Sequence, residues 1–189
     1  IGATFHANYR REPWRGYGAG PPRIFAEVER TGADYRSVAS GLFAGSGSFG
    51  NGAAMRVAPA GVALGRSGDL YEIVGRTAVC THTHPIGIDG AAVQAKAVAV
   101  ALGAGEAGAG GGDPHLDGGE FIEELVEFSR TAELRAKLEA VGEAIEDGRS
   151  AADAARRFGM GIEAHESVPF AIYCFLRHPH SYRECFLCA

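Results

Sequence analysis

Residues Gly45-Ser46-Gly47-Ser48-Phe49-Gly50-Asn51-Gly52 place four glycines, two serines and an asparagine in eight positions. Glycine admits backbone conformations closed to other residues, so successive main-chain amides of such a loop can turn toward one point. The apolar, alanine-rich stretch Ala53-Ala54-Met55-Arg56-Val57-Ala58 follows at once and reads as the start of a helix. Amides crowded at a helix N-terminus favour negative charge, and a phosphate or pyrophosphate is the ligand they suit.

Other readings compete for these glycines. Gly45-x-Gly47-x-x-Gly50 has the form of a dinucleotide fingerprint, and Asp69 lies about 20 residues further on, where a ribose-binding acid belongs. That fingerprint needs a strand immediately upstream, yet residues 34–43 neither alternate nor form a β-branched run. A Walker-type phosphate loop fails because no Lys-Ser or Lys-Thr follows the glycines. A plain turn between helices stays open.

Three further groups have chemically suggestive spacing. Cys80-x-His82-x-His84 resembles a metal cluster, but on a helix alternate residues point to different faces, which argues against one zinc ion. Glu163 and Glu166 lie three apart and imitate an acid/base pair, and Asp89 and Glu12 read as surface charges. Phe43 and Phe49 are, by type alone, core residues.

Helices must position these residues. Leu134, Leu138, Val141 and Ile145 draw one apolar stripe, with Glu, Lys and Arg on the opposite face. Phe121, Leu125 and Phe128 repeat it, as do Leu70, Ile73, Val74 and Ala78 after the Ser67-Gly68-Asp69 start signal. Residues 91–102 read as a closely packed, alanine-rich internal helix. Residues 168–176, apolar on all faces, read as a buried central helix with Pro169 in its first turn. No convincing strand or tandem repeat is found, so the expected fold class is all-α.

Composition narrows the function. The 189 residues are 46% apolar, enough for one proper core, and residues 1–189 read as a single domain with a Gly/Ala-rich flexible loop at 103–113. A net charge of -5 with both signs interspersed leaves no basic stripe for a nucleic-acid backbone. No run of 18 apolar residues is seen, so no membrane span is expected. Cys80, Cys174, Cys185 and Cys188 form no paired finger motif, and with no leader in view they read as reduced thiols of an intracellular protein. The chain opens on Ile1 and closes on apolar residues, as a central fragment would.

Taken together, the motifs resemble the ADP-ribosylglycohydrolase family. Residues 47–56, Thr81-His82 with Gly87-x-x-Gly90-Ala91, Glu166-Ser167-Val168-Pro169 and residues 171–177 occur in family order. With Arg15-Gly16-Tyr17-Gly18-Ala19-Gly20 upstream, the chain is similar to the branch that releases ADP-ribose from serine and degrades poly(ADP-ribose). The resemblance implies an orthogonal helical bundle lacking its N- and C-terminal parts. It also implies that the loop wraps the ADP-ribose diphosphate: Ser46, Gly47, Ser48, Gly50 and Gly52 face phosphate and ribose oxygens, with Asn51 hydrogen-bonding the ligand. Phe49 stands where the branch commonly has Tyr, so stacking on adenine is kept while a phenolic hydroxyl is lost. Phe43 becomes the second aromatic face, His82 a ligand-lining histidine, and Ile162 part of the pocket wall; Glu163 and Glu166 become markers of a helix start.

In one respect the chain departs from the family pattern. Members hold two Mg²⁺ ions with a Thr-Asp-Asp cluster before this region and an Asp-x-Asp-Thr cluster after it. Neither motif is present; the adjacent acids Glu123-Glu124 and Glu146-Asp147 lie in amphipathic helices. The expectation is therefore a Mg²⁺-dependent hydrolase in complete form, with ADP-ribose, ADP-ribosylated proteins and poly(ADP-ribose) as partners, no direct nucleic-acid or membrane binding, and a monomeric state. The rivals are a catalytically inactive ADP-ribose-binding module and a crystallin-like structural relative.

Overall fold

A computed structural model describes residues 1–108 and 116–189. The helices among them are α1 (Gly2–Arg11), α2 (Gly20–Thr31), α3 (Tyr35–Ser40), α4 (Ala58–Leu64), α5 (Leu70–Ala78), α6 (Pro85–Gly108), α7 (Gly118–Phe128), α8 (Ala132–Glu146), α9 (Ala151–Phe158), α10 (Ala164–Arg177) and α11 (Tyr182–Cys188). The described residues contain no strand, and the all-α expectation holds.

Local chemistry starts and stops several of these helices. Asp34 caps α3 by accepting the N–H groups of Arg36 and Ser37, and Asp117 caps α7 through Gly119 and Glu120. Ser150 and Ser181 cap α9 and α11 in the same way. Gly32, at φ 71°, ends α2 in the left-handed conformation that glycine tolerates.

Helix α6 is the axis, packed against α4, α5, α7, α8 and α10. One core lies between α6, α7, α8, α9 and α10, a second between α4, α5 and α6, and a third among α1, α2 and α3. In the first, Leu134, Leu138 and Val141 are fully buried, as their spacing predicts. Each contributes on the order of 2 kcal/mol by leaving water. Small residues set the helix spacing on α6. A methyl group on Gly61 would meet the Ala95 carbonyl and stand 2.9 Å from the Val98 Cβ, and one on Gly90 would lie 2.7 Å from the Ala164 Cβ.

Four expectations are corrected. The helix α6 continues through Gly103 to Gly108, because alanine and the packed first half carry it past the glycines; residues 109–113 of the expected loop lie outside the described residues. The same helix, over Pro85–Gly105, is long and apolar enough to cross a membrane by length and composition, a match that its many alanines produce. Forty-four per cent of that window is buried within the bundle, as befits a central core helix. Pro169 sits in the second turn of α10, since that helix begins at Ala164. Residues 53–58 do not start a helix directly: Ala54–Arg56 form a 3₁₀ turn, and α4 begins at Ala58. Asp89, expected at the surface, is fully buried.

The carboxylate of Asp89 accepts from the Tyr71 hydroxyl on α5 at 3.0 Å and the Ser129 hydroxyl at 2.9 Å. It also accepts the Arg130 and Thr131 N–H groups and the Thr131 hydroxyl at 2.6 Å. One buried charge thus joins α5 and α6 to the α7–α8 connection. Large apolar side chains remain on the outside, among them Trp14, Met55, Val62, Tyr182, Phe186 and Leu187.

Candidate functional site

The glycine loop follows α3 through a tight reversal in which Phe43 (φ 54°), Ala44 (φ 58°) and Gly45 (φ 87°) are all left-handed. Side chains at Phe43 and Ala44 make this conformation costly, and such strain concentrates at functional segments. The reversal is held by hydrogen bonds from the Gly45 and Gly47 N–H groups to the Leu42 carbonyl, and from the Ser46 N–H and hydroxyl to the Phe43 carbonyl. Phe43 and Ser46 therefore stand on the exposed rim.

From Gly47 onward the loop turns inward. Gly47 (φ 72°) packs so closely that a side chain would collide with Thr83 Oγ1 and lie 2.9 Å from the His84 nitrogen. Gly87, in the first turn of α6, lets that helix lie against the loop: a methyl there would come within 2.7 Å of the Ser48 carbonyl. A single antiparallel bridge joins Gly50 to Glu163. The Asn51 N–H donates to the Ile162 carbonyl at 2.8 Å, and the Ala164 N–H, at the start of α10, donates to the Phe49 carbonyl at 2.9 Å.

These pairings decide which amides stay available. Those of Gly45, Ser46, Gly47 and Asn51 are spent on the chain's own carbonyls, and that of Gly50 on the Ser48 hydroxyl at 3.3 Å. Among the described residues, the N–H groups of Ser48, Phe49 and Gly52 have no such acceptor. Fewer amides stay available than the sequence suggested, and Ser48 is the first of them.

His82 lies against the loop glycines Gly50 and Gly52. Its ring is buried, and a methyl group on Gly52 would stand 3.1 Å from Nε2, one on Gly50 3.8 Å. Burial pushes its pKa down to about 4, with the Arg56 guanidinium acting in the same direction. Arg56 donates to the Gly52 carbonyl at 3.3 Å, the Thr77 carbonyl at 3.2 Å and the Thr81 hydroxyl at 2.9 Å, and lies 4.7 Å from the Phe5 ring centre. Desolvation lowers the Arg56 pKa and raises that of the neighbouring Cys80 thiol.

Aromatic and apolar side chains border the loop. Phe49 lies 5.3 Å from the His84 ring and 6.3 Å from that of His165, and is 37% exposed. Ile162, beside the bridge, is 77% exposed. Phe43 and Phe49 are not core residues, which removes the reading that their type alone favours. Three buried polar atoms at the margins have no partner among the described residues: Thr83 Oγ1, His165 Nδ1 and Arg56 Nε. Such atoms call for water or a polar ligand.

The suggestive metal and acid patterns resolve differently. Residues 80–84 lie in the turn between α5 and α6 rather than on a helix, and His84 Nδ1 accepts the Ile86 N–H at 3.2 Å, capping α6. No three His, Cys, Asp or Glu side chains converge as metal ligands among the described residues. Glu163 precedes the first residue of α10, and Glu166 accepts the Gly161 N–H at 3.0 Å, so both shape the helix start. A cleft of about 660 Å³ between α4, α6 and α7 shares no residue with the loop, and its Lys96 is paired with Glu124.

Sequence reasoning assigned no role to Arg56, Thr81, Thr83 or His165. One signal was available: an arginine four residues beyond the last loop glycine, inside an apolar stretch, must find acceptors nearby.

The chain matches the family model for ADP-ribosylglycohydrolase over residues 3–189 and belongs to that family. It is 36% identical over 188 residues to the mouse ADP-ribosylhydrolase ARH3, covering 93% of this chain and 51% of that protein. The bovine ADP-ribosylhydrolase ARH3 is 36% identical over 183 residues (92% and 50%), and the human one 34% over 189 residues (92% and 50%). The chain spans about half the length of these curated relatives.

His82 gives a pH signature. Its pKa falls from 6.5 in the unfolded chain to about 4, so acid favours the unfolded state, which takes up the proton first. Stability unaffected above pH 6.5 should decline as pH drops toward 4, by about 3 kcal/mol in total from this group. Urea melts across that range should show the slope, and His82→Gln should remove this part of it.

Proposed function

We propose that the loop seats the diphosphate of ADP-ribose, and that the complete protein hydrolyses the O-glycosidic bond between ADP-ribose and a protein serine and degrades poly(ADP-ribose). The observation that supports this reading is that the N–H groups of Ser48, Phe49 and Gly52 have no main-chain acceptor among the described residues, in a loop whose Gly50 and Gly52 lie against a neutral, buried His82. Such a surface offers donors to an oxygen-rich anion. Phe49 offers a face to adenine without the phenolic hydroxyl of a tyrosine. The relatives' names, ADP-ribosylhydrolase, support the same chemistry.

Two Mg²⁺ ions belong to this reading of the complete protein, but these residues do not fit them. Hard divalent ions take several carboxylate oxygens, and no such set converges among the described residues. The chain's own contribution is thus to bind and orient the nucleotide, and the step at the anomeric carbon is not assigned to its side chains.

Calorimetric titration of the 189-residue chain with ADP-ribose should show saturable binding of the same strength with and without Mg²⁺. A serine-ADP-ribosylated peptide should be bound and left intact. Release of ADP-ribose by this chain would overturn the separation of binding from catalysis, and absence of binding would overturn the assignment of the loop.

A further inference from the structure

The hydroxyl of Thr81 sits between two nitrogens with opposite needs. Arg56 Nη2, which can only donate, gives a hydrogen bond to Thr81 Oγ1 at 2.9 Å, and Thr81 Oγ1 lies 2.8 Å from His82 Nδ1. The hydroxyl has one proton to place. Its other acceptors are the Cys80 sulfur, a weak one, and the Ala78 carbonyl at 3.4 Å, which already accepts the Thr81 N–H at 3.0 Å and the His82 N–H at 2.9 Å. Both lone pairs of that carbonyl are engaged, and the longer contact is the weaker one. The proton therefore goes to Nδ1, which must be unprotonated to receive it.

We propose that Arg56 and Thr81 fix His82 in the tautomer protonated at Nε2, so that the ring presents one N–H donor to an acceptor oxygen of the nucleotide in the loop. The use of that donor rests on the assignment of the loop to ADP-ribose; the tautomer rests on the hydrogen bonds alone. Nε2 is the nitrogen that faces Gly50 and Gly52, and the missing side chains of those glycines keep it reachable. Thr81 is thus a positioning residue, acting through His82. Arg56 strengthens the arrangement twice: it takes a lone pair of Oγ1, leaving the proton for Nδ1, and its charge opposes a second proton on the ring.

Long-range ¹H–¹⁵N spectra of the ¹⁵N-labelled chain at pH 7 test this directly. His82 should show a pyridine-like Nδ1 and a pyrrole-like Nε2 signal before any ligand is added. Thr81→Val, which keeps the shape and deletes the hydroxyl, should mix the tautomers and weaken ADP-ribose binding about tenfold, the scale of one hydrogen bond to a charged group. Thr81→Ser should restore both. A pyrrole-like Nδ1 in the wild-type chain overturns the proposal with no variant needed, as does a Thr81→Val protein with unchanged tautomer and affinity. A wild-type chain showing the expected tautomer but no ADP-ribose binding would count against the loop assignment and against the use of the donor, while leaving the Arg56–Thr81 control of the ring in place.

Discussion

Asp89→Ala should cost about 3–5 kcal/mol of folding free energy, the range seen when one partner of a buried charged network is deleted. Five donors converge on this carboxylate, from Tyr71, Ser129, the Arg130 main chain and both the main chain and hydroxyl of Thr131. Removing it strands them in a site with no exposure, and each stranded group adds its own desolvation cost. Small domains have about 5–15 kcal/mol in total, so the variant should be largely unfolded well below the wild-type urea midpoint. Asp89→Asn should fall only partly short of this loss, because its amide turns an N–H₂ toward groups that are themselves donors. A loss below about 1 kcal/mol in Asp89→Ala would show that water enters the site and replaces the carboxylate.

Gly47→Ala should reduce ADP-ribose affinity by at least about tenfold, which corresponds to roughly 1.4 kcal/mol. Two costs combine at this position: a φ of 72° that disfavours any side chain, and a collision with Thr83 Oγ1 that pushes the loop off the α6 start. Gly45→Ala separates them. It has an equally left-handed φ of 87°, yet a methyl there meets nothing within 4 Å, so only the conformational cost of about 1 kcal/mol applies. Titration of both variants decides the matter: equal affinities would mean that the fit against Thr83 plays no part.

The helices were legible because their signals are local. The Leu134-Leu138-Val141 stripe acts within two turns and lies where the pattern places it, and α5 begins at Leu70, directly after the Ser67-Gly68-Asp69 signal. The glycine segment was legible as a tight loop, since Gly45 and Gly47 hold left-handed backbone and Gly47 packs too closely for a side chain, whereas the left-handed Phe43 and Ala44 before it carry no such signal. What the spacing could not disclose was partnership. Asp89 looks like any acid near a helix start until Ser129 and Thr131 come to it from forty residues away. Likewise, nothing near Asn51 announces that Ile162 will take its N–H, so the number of available loop amides was overestimated. Pro169 misplaced a boundary for a different reason: proline marks where a helix can start, and here the helix begins one turn earlier, where the bridge to Phe49 sets the chain.

That bridge bears on how the protein is made. Residues 49–51 leave the ribosome long before residues 162–164, and until the latter emerge the nascent chain has no counterpart for the Phe49 carbonyl or the Asn51 N–H. Pairings between distant stretches form late, after the local helices. The segment 49–51 therefore takes its final shape near the end of translation of these residues, and a product arrested before Ala164 carries the entire glycine segment without the partners that hold it.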